Sequence, residues 1–384
     1  MAAHAERLRA PLLTPFTLVL AVLAAVAGFF LVQRFMFGMG AVTNLNAGFP
    51  WGIWVVVDIA IGTAIGCGGF AMALMIYVFN KGEYSPLMRP ALLGGLFGYT
   101  LAGASAIIDL GRWWQFYVLL MPWQWNFDSV MLEIALCVLA YTAVLWLEFS
   151  PAILERLGWT RWQKRMDNIM WFLIALGIVL PLMHQSSLGT AVIVLGERLS
   201  PLYFTAFLPL LFVTSALAMG FAVVVVEATT VSHNFRRPSE GHLLRRLAVI
   251  VGWLMVGWLV LRFGLLAHEG KLAAAFEPGR GRTTFWVETA LGAFAAAGFL
   301  VPAWRNSERI MLLAGLSLIL FGSIYRYAAF ISAVTPVGNY SYAPAVPELM
   351  ITVGIIATEI LLYLSFIKIF PVLHAARKAR PAHA

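Results

Sequence analysis

Ten stretches of about 20 or more mostly apolar residues recur along this 384-residue chain, and that recurrence constrains the fold more than any single motif does. About 20 such residues suffice for a helix to cross a hydrocarbon core of about 30 Å. The stretches fall at 15–37, 52–79, 88–114, 127–149, 167–187, 207–230, 245–268, 283–303, 309–333 and 347–370. Lipid offers no partner to an unpaired backbone group, so each is expected to be helical. Charged residues are only 11% of the chain and hydrophobic residues 61%, whereas a soluble domain carries roughly 25% charged residues. The expected fold is therefore an all-α polytopic membrane protein of about ten transmembrane helices, forming one integral membrane domain. Within it, spans 2–5 (52–187) and 6–9 (207–333) are expected to form two four-helix bundles, with the first and last helices flanking them. The first stretch is too long for a signal-peptide core and no small-residue cleavage site follows it, so it reads as a retained span.

Lys and Arg assign the sides. The N-terminal tail, the loops after spans 2, 4, 6 and 8 and the C-terminal end carry eighteen of the 26 basic residues. Examples are Arg156, Arg161, Lys164 and Arg165 in one loop, and Arg236, Arg237, Arg245 and Arg246 in another. The opposite side carries six and two lie within spans. The positive-inside rule then puts both termini in the cytoplasm. On this reading the net charge of +8 reflects topology and lipid contact, and no nucleic-acid surface is expected.

Against this apolar background, Asp58, Asp109, Arg112, Glu133 and His184 stand out inside the spans, all towards the outer side. A charged group at membrane depth costs roughly 2.5–3.5 kcal/mol even on insertion scales, so it is seldom kept without a use. With a rise of about 1.5 Å per residue, Asp58 lies about 10 Å into its span and Glu133 about 9 Å. Asp109 and Arg112 are three apart, share a helix face if the helix continues, and are expected to pair. That leaves Asp58, Glu133 and His184 to exchange protons. Quinone conversion couples two electrons to two protons, and a His or a carboxyl group in lipid suits that exchange.

The outer connections 38–54 and 112–128 are rich in aromatic residues. They suit an interfacial belt, or contact with a partner or a quinone ring. Trp51, Trp113 and Asn46 are the candidates there. In the second half, Arg262, Glu288, Arg326 and Glu359 could pair off structurally or form a proton route. A faint repeat matches Arg112 and Glu133 in spans 3 and 4 to Arg262 and Glu288 in spans 7 and 8. Glu148 and Glu227 read as ordinary interfacial residues, and Pro181 as the one clear interior break in spans 2–5. Cys67 and Cys137 are too few for an iron–sulfur cluster. Of the seven His, only His184 lies well within a span. A membrane b-type haem usually takes two, so no haem is expected.

The tracts "LNAGFPWGIWVVVDIAIGTAIGCGGFAMA", "YVFNKGEYSPLMRPALLGGLFGYTLAG", "LEFSPAILERLGW" and "LPLMHQSSLGT" resemble the NrfD/PsrC family of quinone-interacting membrane subunits. The likeness spans nearly the whole chain and is closest to members serving periplasm-facing uptake nickel–iron hydrogenases. It implies a membrane anchor without cofactor of its own, passing electrons to menaquinone or ubiquinone from a ferredoxin-like iron–sulfur subunit. Hydrogenase small and large subunits would complete the assembly outside. The family's acid at the start of the fourth span falls on Glu133, and its outer polar residues on Asp58, Asp109, Arg112 and His184. A secondary transporter using these acids for ion coupling, and a passive anchor, remain open alternatives.

Overall fold

A computed structural model describes residues 5–8, 10–235 and 241–374. Arg9, Arg236, Arg237 and the basic C-terminal tail, which help to assign the sides, lie outside the described residues. Ten helices in it are long and apolar enough to cross a membrane. They are α1 Pro15–Phe37, α2 Val55–Val78, α3 Gly82–Asp109, α4 Val130–Leu157, α5 Thr160–Ile193, α6 Leu208–His233, α7 Gly241–His268, α8 Arg282–Leu300, α9 Glu308–Ser332 and α10 Val346–Ile369.

Neighbours in sequence pack as neighbours in space from α2 to α9, and α6 also packs against α9. The two runs meet where α2 lies against α6, and α1 pairs with α10 at the side. In the most apolar stretch of α2, 72% of residues are buried, against 17% in α1. Thus α2 is the centre and α1 a lipid-facing flank. The two ends of the described residues meet: Ala5–Glu6 pairs antiparallel with Leu373–His374, and Lys368 Nζ donates to the Pro11 carbonyl at 2.8 Å.

The interior break is not at Pro181. Helix α5 runs unbroken from Thr160 to Ile193, and α2 is the irregular span. Val55–Gly62 and Leu74–Val78 are π-helical, and a turn at Gly66–Cys67 separates them. Its neighbours approach backbone to backbone. A methyl group on Gly95 of α3 would come within 2.7 Å of the Gly66 carbonyl, and one on Gly220 of α6 within 2.7 Å of Cys67. Small residues are what let membrane helices pack this closely without a hydrophobic driving force.

Candidate functional site

His184 is completely buried. It sits nine residues before the end of α5, or about 13 Å from that end by the helix rise, because α5 continues past the expected boundary. Its Nε2 lies 3.0 Å from Thr63 Oγ1 on α2. The Tyr99 ring of α3 stands 5.6 Å away edge-on, backed by Tyr141 of α4 at 4.5 Å. The Ile134 backbone of α4 acts on the ring, and Nδ1 has no hydrogen-bond partner among the described residues. All four helices α2–α5 therefore contribute to the His184 surroundings.

The polar surroundings extend into the second half of the chain. Gln185 Nε2 donates to Thr63 Oγ1 at 3.0 Å, and the Arg326 guanidinium of α9 donates to Gln185 Oε1 at 3.1 Å. Arg326 also donates to Ser215 Oγ at 3.2 Å and the Phe212 carbonyl at 3.0 Å, and its guanidinium lies over the Phe212 ring. No carboxylate pairs with it among the described residues.

Nearer the outer surface, Asp58 of α2 is 5% exposed with Oδ2 unpaired among the described residues. The buried Ser105 hydroxyl of α3 adjoins it, and Asp109 and Glu359 act on it electrostatically. Asp109 does not pair with Arg112. Helix α3 ends at Asp109 and Leu110 turns extended (φ −67°, ψ 124°), so there is no shared face. Arg112 is exposed in the following loop. The cation beside Asp109 is instead Arg34 of α1, whose Nε donates to the Ile108 carbonyl at 2.8 Å and whose Nη2 donates to that of Leu110. It caps the carbonyls that a helix end leaves free.

The remaining candidates disperse. Glu133 stands in the first turn of α4 with an exposed side chain, shallower than the spacing suggested because α4 starts at Val130. The Trp51 ring packs on Phe330 of α9 at 4.9 Å, and that of Trp113 on Phe35 of α1 at 5.0 Å; each contact turns to a different flank. Asn46 Nδ2 donates to the Ser341 carbonyl at 2.8 Å and Oδ1 accepts from Gly48 N at 3.0 Å, which is loop-holding work. Glu348 centres that outer cap: it accepts from Tyr342 Oη at 2.7 Å, Asn44 N at 3.1 Å and Ala345 N at 2.7 Å. Burial and the Glu348 carboxylate raise the Tyr342 hydroxyl above the usual phenol range.

In the second half only one of the two expected pairs forms. Arg262 and Glu288 are 3.6 Å apart and buried. Tyr203 Oη donates to Glu288 at 3.0 Å, and the rings of Tyr203, Trp258, Phe285 and Tyr325 surround the guanidinium. Glu359 belongs with the first half, its Oε1 3.3 Å from where a methyl on Gly98 of α3 would stand. The faint repeat fails on burial: Arg262 and Glu288 are buried, whereas Arg112 and Glu133 are exposed. Glu148 and Glu227 do not stand at the helix ends. They lie nine and six residues inside the ends of α4 and α6, and Glu227 Oε1 is buried and unpaired among the described residues.

Residues 41–338 match the family model "Polysulphide reductase, NrfD", more than half of the chain. The chain belongs to the NrfD family. A relative in Escherichia coli (strain K12), the "Probable Ni/Fe-hydrogenase 2 b-type cytochrome subunit", is 41% identical over 346 residues, covering 89% of this chain and 88% of its own. The "Menaquinone reductase, integral membrane subunit" of Nitratidesulfovibrio vulgaris is 27% identical over 87% of this chain and 86% of its own. A selenate reductase subunit of Mesobacillus selenatarsenatis is 23% identical over 90% of each. This NrfD chain is thus a multi-pass membrane protein related to membrane subunits of multi-subunit redox complexes.

Sequence reasoning missed several residues of the NrfD chain's buried network: Thr63, Tyr99, Gln185, Ser105 and Arg34. Gln185 had a signal, since it follows His184 in a His–Gln–Ser–Ser run within an apolar span. Thr63 and Tyr99 had none, because a single Thr or Tyr in a span is compositionally ordinary.

Proposed function

We propose that this NrfD-family chain is the quinone-reactive membrane subunit of a respiratory oxidoreductase in a bacterial inner membrane. Both termini are cytoplasmic and the outer loops face the periplasm. A ferredoxin-like iron–sulfur subunit seated on those loops delivers electrons. By analogy with the name of the E. coli relative, hydrogenase small and large subunits complete the complex. Menaquinone or ubiquinone binds between the outer halves of α2–α5 beside His184, without haem in this chain.

The observation that carries this reading is the unpaired Nδ1 of a fully buried histidine. A buried polar atom without a partner costs about 1–3 kcal/mol, and such an orphan calls for an explanation. A ligand hydroxyl or carbonyl would supply the missing partner. Tyr99 and Tyr141 present ring faces of the kind a quinone would use. Asp58 and Asp109, each with an unpaired oxygen, supply acids on the outer side, and Glu359 extends that group inward. Glu133, one residue before Ile134 at the outer rim, is assigned as the proton entry. The Arg262–Glu288 pair is assigned a structural role. The interrupted α2 does not favour an ion carrier, since its break is packed against Gly95 and Gly220, whereas carrier helices break around a site near the midplane.

A photoreactive menaquinone analogue tests the site on the assembled complex. Labelled peptides should come from the outer halves of α2–α5, including the one containing His184. Labelling confined to α6–α9 overturns the assignment. Co-purification with an iron–sulfur protein tests the partner.

A further inference from the structure

Every hydrogen bond at Thr63 Oγ1 can be given a direction. A hydroxyl has one proton and two lone pairs. The Thr63 proton goes to the Ile59 carbonyl, four residues back on α2. Arg326 carries only donors, so the Gln185 atom 3.1 Å from it is the carbonyl oxygen. That orients the Gln185 amide nitrogen to Thr63 at 3.0 Å, where Thr63 accepts. The one contact left is His184 Nε2 at 3.0 Å. With its proton already spent, Thr63 can only accept from it as well. A neutral imidazole has a single N–H, so Nε2 carries it and Nδ1 is bare. Thr63, His184 and Arg326 are 0% exposed and Gln185 1%, so the bonds on the Thr63 side of the ring lie away from bulk water.

We infer that Thr63, held as an acceptor by Gln185 and Arg326, is a positioning residue that fixes His184 as its Nε2–H tautomer and makes Nδ1 the atom that exchanges a proton with quinone. The exchange rests on the quinone reading above; the tautomer rests on hydrogen-bond geometry alone. In the reducing direction a quinone takes two electrons from the iron–sulfur partner and two protons. The bare Nδ1 of the resting ring first takes up a proton that enters from the outer side by Glu133; Nδ1–H then passes that proton to the quinone and leaves the neutral Nε2–H ring. The carboxyl group of Asp58 supplies the other and is left as carboxylate. Because Arg326 sits on α9, the second half of the chain helps to set the proton chemistry of the first.

The test is nitrogen NMR of the full chain labelled with 15N-histidine in lipid nanodiscs, with His184 assigned by the signals that His184→Gln removes. Wild type should give a bare Nδ1 and a protonated Nε2. A protonated Nδ1 in the resting neutral ring overturns the lock, and needs no Thr63 variant. Thr63→Val removes the acceptor and should shift the ring towards Nδ1–H, while Thr63→Ser restores Nε2–H; an unchanged tautomer in Thr63→Val also overturns the lock. In the assembled complex, quinone-linked turnover should fall roughly tenfold or more in Thr63→Val, a part of the 10²–10⁴ that acid–base catalysis contributes, and recover in Thr63→Ser. Adding a menaquinone analogue to wild type should move the Nδ1 signal. Analogue binding that leaves Nδ1 unmoved overturns its role in proton exchange. A correct tautomer with no analogue binding at all overturns the quinone reading instead.

Discussion

The Arg326 guanidinium on α9 donates to Gln185 Oε1 on α5 at 3.1 Å, with both residues buried. A buried guanidinium without a carboxylate is unusual, because a buried charge normally needs a countercharge or several dipoles. Here the dipoles are an amide oxygen, a hydroxyl and a backbone carbonyl, with the Phe212 ring beneath. Losing any one of them leaves the others strained to hold the charge, which ties α5, α6 and α9 into one arrangement around His184.

Arg262 and Glu288 form a buried ion pair, and they do hold each other. Removing one member of such a pair costs about 3–5 kcal/mol, because its partner is left buried and unpaired. Glu288→Leu should therefore lower the thermal stability of the detergent-solubilised protein sharply. The double variant Arg262→Met, Glu288→Leu should recover most of the loss. A double variant as unstable as the single would show that the aromatic cage around Arg262, and not the pair, holds this region.

Two adjacent glycines on α3 make opposite predictions. A methyl on Gly94 meets nothing within 4 Å, whereas one on Gly95 lands 2.7 Å from the Gly66 carbonyl of α2. Gly94→Ala should be neutral or stabilising, since Ala is favoured over Gly in a helix by roughly 1 kcal/mol. Gly95→Ala should cost about 1–3 kcal/mol as overpacking. Equal melting temperatures for the two would mean that α2 and α3 are further apart than described.

Glu133→Gln keeps the shape of an exposed side chain and removes its titratable proton. The complex should assemble normally, because no hydrogen bond of the described residues depends on that carboxylate. Quinone-linked turnover, or its response to the proton gradient, should fall about tenfold, at the lower end of what a proton-transfer group contributes. Unchanged turnover and unchanged gradient response would make Glu133 a surface residue only.

The absorbance spectrum bears on the words "b-type cytochrome" in the name of the E. coli relative. A reduced-minus-oxidised spectrum of the purified chain should carry no b-type band, since His184 is the one histidine deep in a span and its Nε2 is engaged by Thr63. A stoichiometric band that disappears in His184→Gln would place a haem there and displace the quinone.

The sequence by itself determined the number of spans, their helical state and most of their ends. Those follow from apolar run length and from the lack of water to pair a backbone in lipid, both of which are local properties. It also singled out Asp58, Asp109, His184, Arg262, Glu288 and Arg326 as polar groups in apolar surroundings, and the tertiary structure half-buries Asp109 and buries the other five. Partners were another matter. Arg112 looked like the mate of Asp109 only because the helix was assumed to continue past Leu110; the neighbour is Arg34, 75 residues away in sequence. Pro181 looked like the break, yet α5 absorbs it, and the irregular span is the glycine-rich α2 pressed between α3 and α6. Thr63 carries no signal until His184 and Gln185 converge on it. A lone residue's cost in lipid can be read from its type, but which groups relieve that cost depends on helix rotation and approach, and only packing of the whole chain decides those.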